Sequence, residues 1–215
     1  MERQERGVLI AFEGIDRVGK TTQVDRLVHT LRAKHQRHVE KITFPNRSTL
    51  VGRLIHAILQ GAEPKPSQRV MHMLFSANRW ELVERIKNAL KDRKVVVMDR
   101  YAYSGLAYSL AAEECIPVSW LFNCDSGLPE PDLTIYLDGN PTYLLNRTGY
   151  GTEILENIEY QERVRNIYLT LVDDPKWHKV DTEDRNLDEI EESIYSKVMQ
   201  LLRNQIFYSP IAYME

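Results

Sequence analysis

The sequence has few cysteines, little excess charge and no long apolar run. Cys115 and Cys124 are the only cysteines among 215 residues. They lack metal-ligand spacing, and so few indicate a reducing compartment. The net charge of −3 argues against a nucleic-acid partner. No apolar run approaches a membrane span, and residues 1–6 are charged, unlike a signal peptide. We therefore expect a cytoplasmic protein with no membrane partner, and leave presence in the nucleus open.

Repeats, low-complexity tracts and linkers are also absent. Hydrophobic residues make up 43% of the chain and charged residues 27%, a balance typical of a globular domain with a sizeable core. We expect residues 1–215 to form a single domain. Residues 148–153 carry two glycines and no apolar pattern, so they indicate a mobile loop, and we expect 148–156 to act as a lid.

The most specific motif is a phosphate-binding loop, G-x-x-x-x-G-K-T, at residues 14–21. An apolar, β-branched segment at 7–13 precedes it and predicts a strand, and an amphipathic helix follows it. In such a loop glycines let the backbone amides face phosphate oxygens, Lys20 reaches the outer phosphates and the Thr21 hydroxyl binds Mg²⁺. The alternative is a chance match, which the flanking strand and helix disfavour.

Strand and helix patterns alternate along the whole chain. This order predicts an α/β fold, a P-loop NTPase with a five-stranded parallel sheet between two helical layers. A long helix is predicted over 67–91, with Val70, Met73, Leu74 and Ala77 on its inner face. The predicted strands cover 7–13, 38–44, 94–98, 132–138 and 177–181.

Three polar segments follow predicted strands and should meet in one crevice beyond the carboxyl ends of those strands. They are the phosphate-binding loop, residues 44–47 and residues 99–101. Asp99 is placed to hold Mg²⁺, or alternatively to cap the strand or pair with Arg100. Three arginines, Arg47, Arg79 and Arg100, are each more often structural or solvated, but together they indicate a second anion.

Arg17 and Phe75 stand out for different reasons. A loop that only cradles phosphates has no need of Arg17, so this cation indicates a contact with a transferring phosphoryl group, as an arginine finger makes. Phe75 and Arg79 are four residues apart on one helix face, where the ring would stack on a base and the guanidinium would bond its edge. The alternative is that Phe75 is an ordinary core residue.

Four segments together carry a family resemblance. FPNR at 44–47, FSANRW at 75–80, DRYAYSG at 99–105 and GLPEPD at 127–132 stand in the order seen in thymidylate kinases. The chain resembles the eukaryotic and poxviral type over nearly its full length. The resemblance implies an enzyme of nucleotide biosynthesis, usually a homodimer, that binds small-molecule nucleotides. It would transfer the γ-phosphoryl group of ATP to dTMP, with Mg²⁺, giving dTDP and ADP.

The resemblance also implies roles for single residues. Asp16 would bond the 3′-hydroxyl, Tyr108 would disfavour ribonucleotides, and Arg147 would lie against adenine. Lys20, Arg17, Asp99 and Arg100 would be catalytic, and Thr21 and Asp99 would bind the metal. The implied ATP-binding residues are Gly14, Asp16, Arg17, Val18, Gly19, Lys20, Thr21, Thr22, Arg147 and Arg185. The implied dTMP-binding residues are Asp16, Phe44, Pro45, Arg47, Phe75, Arg79, Arg100, Ser104, Gly105, Tyr108 and Gln161.

The lid sequence bears on where the catalytic arginine lies. Residues 148–153 contain no Lys or Arg, which matches the members of the family with an arginine in the phosphate-binding loop. The chain departs from many relatives at Leu155, where they carry a tyrosine. Two other functions stay open from the residues alone. One is a different nucleoside or nucleotide kinase, and the other is a non-catalytic nucleotide-binding module.

Overall fold

A five-stranded, all-parallel sheet forms the centre of the protein, as the sequence predicts. The computed structural model describes residues 6–112, 115–144, 157–203 and 210–215, and of 143 and 144 the backbone alone. The strand order is β2-β3-β1-β4-β5. Val8 in β1 pairs with Val95 in β3, and Ile10 pairs with Leu133 in β4. The strands are β1 Val8–Glu13, β2 Val39–Thr43, β3 Val95–Asp99, β4 Leu133–Asp138 and β5 Trp177–Asp181.

Helices cover both faces of the sheet, because both faces of the central strands are apolar. In β1, Val8, Ile10 and Phe12 pack in one cluster with residues of α1 and α9, whereas Leu9 and Ala11 pack in another with residues of α4. The predicted three layers are therefore confirmed. The described helices are α1 Lys20–His35, α2 Leu50–Leu59, α3 Gln68–Trp80, α4 Val83–Lys91, α5 Ala102–Ala111, α6 Val118–Asp125, α7 Pro141–Leu144, α8 Ile158–Leu169 and α9 Leu187–Arg203.

The single helix predicted over 67–91 is wrong, because the chain turns between α3 and α4. The amide of Leu82 donates to the carbonyl of Arg79 at 3.0 Å, which tightens the last turn of α3. The Glu81 carboxylate accepts from the backbone of Val51 at 3.2 Å and from Asn78 at 3.0 Å. These contacts with α2 and within the turn replace a continued helix, and neither Gly nor Pro marks the break in sequence.

The predicted inner face of this segment is also wrong at two positions. Val70 and Met73 are 39% and 45% exposed. The buried side chains of α3 are instead largely polar: Gln68, His72, Ser76, Asn78 and Arg79, together with Met71. The polar side of α3 therefore faces the interior, and an apolar stripe faces outward.

One helix was not predicted. Helix α6 has only eight residues, and two of them, Leu121 and Asp125, are buried, which is too short a pattern to show a 3.6-residue period. Leu121 packs with Leu106 of α5 and with Ile116. None of the helices in the described part of the chain is long and apolar enough to cross a membrane.

Candidate active site

A cavity of about 870 Å³ opens at the carboxyl ends of β1, β2 and β3. This is the crevice predicted from the strand order, and its volume suits a small-molecule ligand. The phosphate-binding loop lines one end, and α3 and α5 line the other. Predicted site residues in its lining are Asp16, Arg17, Gly19, Lys20, Thr21, Thr22, Phe44, Pro45, Arg47, Phe75, Arg79, Asp99, Arg100, Ser104, Gly105 and Tyr108.

The phosphate-binding loop owes its shape to backbone conformations that glycine adopts easily. Gly14 and Gly19 have φ angles of 141° and 106°. A Cβ atom at Gly14 would lie 2.5 Å from the carbonyl oxygen of Leu137, so a side chain does not fit there. Helix α1 begins directly after Gly19, so its free N-terminal amides and positive dipole end lie at the cavity.

Lys20 is buried beneath the loop, where its Nζ donates to the carbonyl of Ile15 at 2.5 Å. Burial, and after it the positive charge of Arg100, lower the pKa of Lys20, and the net value is about 7. Asp16 and Asp99 act in the opposite direction and raise this pKa. Negative phosphate groups in the cavity would add to that second effect and favour the charged lysine.

Thr21 and Asp99 meet across the cavity floor, with Oγ1 donating to Oδ2 at 2.6 Å. Asp99 is 3% exposed and ends β3, which lies beside β1. Hydroxyl and carboxylate oxygens suit Mg²⁺, which binds few protein groups and takes its other ligands from phosphate and water. Within the described ranges, no group of three or more His, Cys, Asp and Glu residues could hold a metal without such help.

Arg100 is the centre of a network between the phosphate-binding loop and α5. Its guanidinium forms an ion pair with Asp16 and donates to the carbonyl of Gly14 at 2.9 Å and to Ser104 Oγ at 3.2 Å. Its ion pair is therefore with Asp16 and not with Asp99. Burial alone would raise the pKa of Asp16, but the charges of Arg100 and Lys20 outweigh it and lower that pKa.

Gln161 of α8 completes this network by contacting both Asp16 and Tyr108. Its amide donates to Asp16 Oδ2 at 2.8 Å, and its oxygen accepts from the backbone of Asp16 at 2.9 Å and from the Tyr108 hydroxyl at 3.3 Å. Tyr108 in turn lies against Arg100, with the guanidinium carbon 5.2 Å from the ring centroid. Gln161 thus contributes by holding Asp16 and Tyr108, since it does not itself line the cavity.

Phe75 and Arg79 lie at the other end of the cavity, on one face of α3. Phe75 is half-buried and does not belong to the core clusters, so the alternative of an ordinary core residue is disfavoured. Arg79 is almost completely buried and forms a two-fold ion pair with Asp125, at 3.0 Å from Nε and 2.6 Å from Nη2. Sequence reasoning missed Asp125, because it lies on the helix that was not predicted.

Glu13 is a second residue that sequence reasoning missed. Its carboxylate is fully buried at the end of β1 and accepts from the amides of Tyr101 and Ser104, at 3.0 and 3.1 Å, and from the Ser104 and Tyr168 hydroxyls. Burial raises its pKa, while these hydrogen bonds and Arg100 partly offset the rise. Glu13 therefore anchors the start of α5. The available signal was an acidic residue that ends an apolar strand.

Several predicted residues lie outside the cavity wall. The Val18 side chain packs in the core, and Gly14 contributes its carbonyl to Arg100. Arg185 is exposed after β5 and does not line the cavity. Arg47 is also exposed, but unlike Arg185 it does line the cavity. Arg147 and the predicted lid at 148–156 lie outside the described residues.

Comparison with known proteins gives a consistent result. The family model described as thymidylate kinase matches residues 12–194. The thymidylate kinase of Dictyostelium discoideum is 39% identical over 192 residues, which cover 89% of this chain and 85% of that protein. The human thymidylate kinase is 39% identical over 191 residues, with 88% of each chain covered. The solved structure of the Candida albicans thymidylate kinase superposes with a TM-score of 0.85 at 31% identity, covering 98% of this chain and 99% of that chain.

Proposed function

The chain belongs to the thymidylate kinase family, and from this premise we propose that it transfers the γ-phosphoryl group of ATP to dTMP, giving dTDP and ADP. One observation carries the proposal beyond family membership. A single cavity has a phosphate-binding loop at one end and the pair of Phe75 and Arg79 at the other. The first end suits a nucleoside triphosphate, and the second suits a flat base.

We assign the dTMP phosphate to Arg47 and Arg100, which both line the cavity. A guanidinium fork matches phosphate oxygens in two-fold hydrogen bonds. Asp16, held by Arg100 and Gln161, would accept from the 3′-hydroxyl. Tyr108, whose ring packs on Arg100, would lie near the 2′-carbon, where a ribose hydroxyl would crowd it.

ATP would bind over the phosphate-binding loop, with its phosphates on the amides of 14–22 and its adenine towards Arg147 and Arg185. Thr21 and Asp99 are the residues that would hold Mg²⁺. When bound, Mg²⁺ supplies positive charge that offsets the negative charge of the phosphate oxygens. Lys20 and Arg17 would place further positive charge beside the transferring group, in a site whose buried groups need no reorganisation.

A coupled assay that follows ADP formation tests this assignment. The purified protein is supplied with ATP and, in turn, dTMP, dUMP, dCMP, dGMP and thymidine, with and without Mg²⁺. We expect turnover with dTMP to be the fastest and to require Mg²⁺. A preference for thymidine would instead assign the protein to the nucleoside kinases. ATP binding without turnover on any acceptor would assign it to the non-catalytic nucleotide-binding modules.

We further propose that the protein is a homodimer that pairs through the outer face of α2 and α3. Leu50 and Leu54 lie four residues apart on α2 and are 74% and 44% exposed, and Val70 and Met73 on α3 are 39% and 45% exposed. The two helices pack against each other, so these side chains belong to neighbouring elements. Covering such an apolar patch with a second copy removes it from water.

The test of the dimer is the molar mass in solution, measured by light scattering after size exclusion. We expect Met73→Asp to give a monomer at concentrations where the unchanged protein is a dimer, because a charge would have to be desolvated in the interface. Leu187→Asp is the matched control, since Leu187 is 49% exposed on the distant helix α9. A dimer that survives Met73→Asp would exclude this face.

A further inference from the structure

The guanidinium of Arg79 is held on one edge and covered on one face. The Asp125 carboxylate accepts hydrogen bonds from Nε and Nη2 of Arg79. Both side chains of this ion pair are nearly inaccessible, with 2% exposure for Arg79 and 5% for Asp125. Among the residues that the structure describes, Asp125 is the only hydrogen-bond partner of the guanidinium, so Nη1 keeps its donors for a ligand. Gly105 covers one face: a Cβ atom there would lie 2.7 Å from Nη2. The cavity wall thus presents a guanidinium with little freedom to turn.

The residue before Asp125, Cys124, is held by two contacts from α3 to the end of α6. The carbonyl of Cys124 accepts from Ser76 Oγ at 2.7 Å and from Trp80 Nε1 at 2.9 Å. The amide of Leu128 donates back to the carbonyl of Asp125 at 3.0 Å and closes the turn that follows. The carboxylate therefore belongs to a tightly bonded helix end, whose position depends on the turn at 126–128.

The end of the chain holds this turn from the other side. We call residues 212–214 the C-terminal tail. The amide of Gly127 donates to the carbonyl of Met214 at 2.8 Å, the amide of Met214 donates to Leu128 at 2.9 Å, and the amide of Glu130 donates to Ala212 at 2.9 Å. Met214 is 7% exposed and packs in the cluster that also contains Leu128, Tyr101 and Phe44. The tail is thus an added strand-like segment that fixes the turn after Asp125.

We propose that Asp125 is a positioning residue for substrate selection, which orients Arg79 toward the base, and that the C-terminal tail supports it. This inference rests on the proposed function. Arginine can only donate hydrogen bonds, so a fixed Arg79 favours a base with an acceptor at that edge. Thymine presents the O4 acceptor where cytosine presents an amino group. Loss of the fixed orientation should therefore weaken dTMP binding and reduce the preference for dTMP over dCMP, while ATP use remains unchanged.

The chain offers a matched control for this test. Asp132 forms a similar two-fold, buried ion pair with Arg6, at 2.8 and 2.6 Å and with 9% and 7% exposure of the two side chains. That pair lies at the opposite, amino-terminal end of the sheet, since Asp132 directly precedes β4 and bonds the amide of Leu9. The experiment compares Asp125→Asn with Asp132→Asn. It measures KM for dTMP, KM for ATP, kcat and the ratio of kcat/KM for dTMP over dCMP, all well below the melting temperature.

We expect Asp125→Asn to raise KM for dTMP by about tenfold or more, because the loss of a hydrogen bond from a charged group has an effect of this size. The ratio of kcat/KM for dTMP over dCMP should fall, and KM for ATP should stay unchanged. Asp132→Asn should lower the melting temperature and leave both dTMP readouts as in the unchanged protein. Equal dTMP kinetics in the two variants would overturn the proposal. If Asp125→Asn does not fold, Asp125→Glu, which keeps the charge on a longer arm, is measured in the same comparison.

The C-terminal tail is tested with Met214→Ala, which leaves every atom of the ion pair in place. We expect a severalfold rise in KM for dTMP, smaller than for Asp125→Asn, with KM for ATP unchanged. An unchanged KM for dTMP would remove the tail from the proposal. The proposed function is judged separately, on the unchanged protein. If that protein does not phosphorylate dTMP, the function is wrong. If it does and Asp125→Asn behaves as Asp132→Asn, only this inference is wrong.

Discussion

The two ends of the cavity are built in opposite ways. The phosphate end is mainly one continuous stretch, residues 14–22, which joins β1 to the start of α1, and β3 adds Asp99 to it. The base end is assembled from α3, α5 and the end of α6, which are far apart in sequence. At the phosphate end Lys20 bonds only a backbone carbonyl among the described residues, whereas at the base end Arg79 is paired with a buried carboxylate. Among the described residues, the lysine at one end thus has no carboxylate hydrogen-bond partner, whereas the guanidinium at the other end is already neutralised.

This difference predicts that the two ends of the cavity affect different kinetic properties. A cation without a carboxylate partner can respond to charge that develops during phosphoryl transfer, so the phosphate end should govern turnover. A paired and covered guanidinium beside a half-buried ring offers a fixed shape, so the base end should govern the affinity for dTMP. The following experiments are ordered by the size of the expected effect, and each can contradict this assignment of turnover to one end and affinity to the other.

Arg17→Gly should have the largest effect of the three. Arg17 lines the cavity and has a φ angle of 62°, a conformation that glycine adopts without strain, so the substitution removes the side chain and spares the loop. We expect the rate of transfer to fall by about 10³-fold, the low end for an arginine finger, because Lys20 shares the charge. The measurement is single-turnover transfer at saturating ATP and dTMP.

The alternative is that Arg17 only strengthens the binding of ground-state ATP. In that case KM for ATP would rise and the single-turnover rate would stay near normal, as for any loss of uniform binding. Thermal melting of Arg17→Gly serves as the control and should match the unchanged protein. A normal rate would show that the catalytic cation of the phosphate end lies elsewhere.

Phe75→Ala should have a smaller effect, at the other end of the cavity. The half-buried ring lines the cavity, so its loss should weaken dTMP binding by about 1–3 kcal/mol, the range for stacking one base on an aromatic ring. A core phenylalanine would instead cost about 3–5 kcal/mol of stability. Titration calorimetry with dTMP and thermal melting on the same sample separate the two. A large melting loss with unchanged dTMP affinity would end the stacking role.

The phosphate end was easier to predict from sequence than the base end, for a physical reason. A phosphate-binding loop is local: its glycines, Lys20 and Thr21 act through backbone geometry that a short run of residues determines. The strands beside it are buried on both faces and were predicted from their continuous apolar runs, and the alternation of strands and helices predicted the parallel sheet correctly. Family resemblance then supplied the residues of the base end that spacing alone could not.

The unpredicted parts depend on contacts between distant segments. The break after α3 comes from Glu81 bonding α2, and Asp125 acquires its partner only when α6 packs on α3. Helical periodicity finds an apolar stripe but not what covers it, so Val70 and Met73 were placed inside when they face outward. Buried polar residues such as Glu13 and Arg79 run against the rule that charge lies outside, and tertiary partners alone explain them.

The smallest expected effect is the uptake of a proton when ATP binds. It tests whether Lys20 at the phosphate end becomes charged only in the presence of ATP. Burial lowers the pKa of Lys20 to about 7, so near pH 8 only about one lysine in ten is charged in the free protein. Phosphate oxygens favour the charged form and raise this pKa above the solution pH. ATP binding near pH 8 should therefore take up most of one proton, and less near pH 6, where Lys20 is already charged.

Titration calorimetry in two buffers of different ionisation enthalpy measures the uptake, and Lys20→Met, which cannot be protonated, corrects for protons bound by ATP itself. Equal uptake by Lys20→Met and the unchanged protein would show that Lys20 is already charged before ATP arrives, so that ATP binding does not change the protonation of the phosphate end.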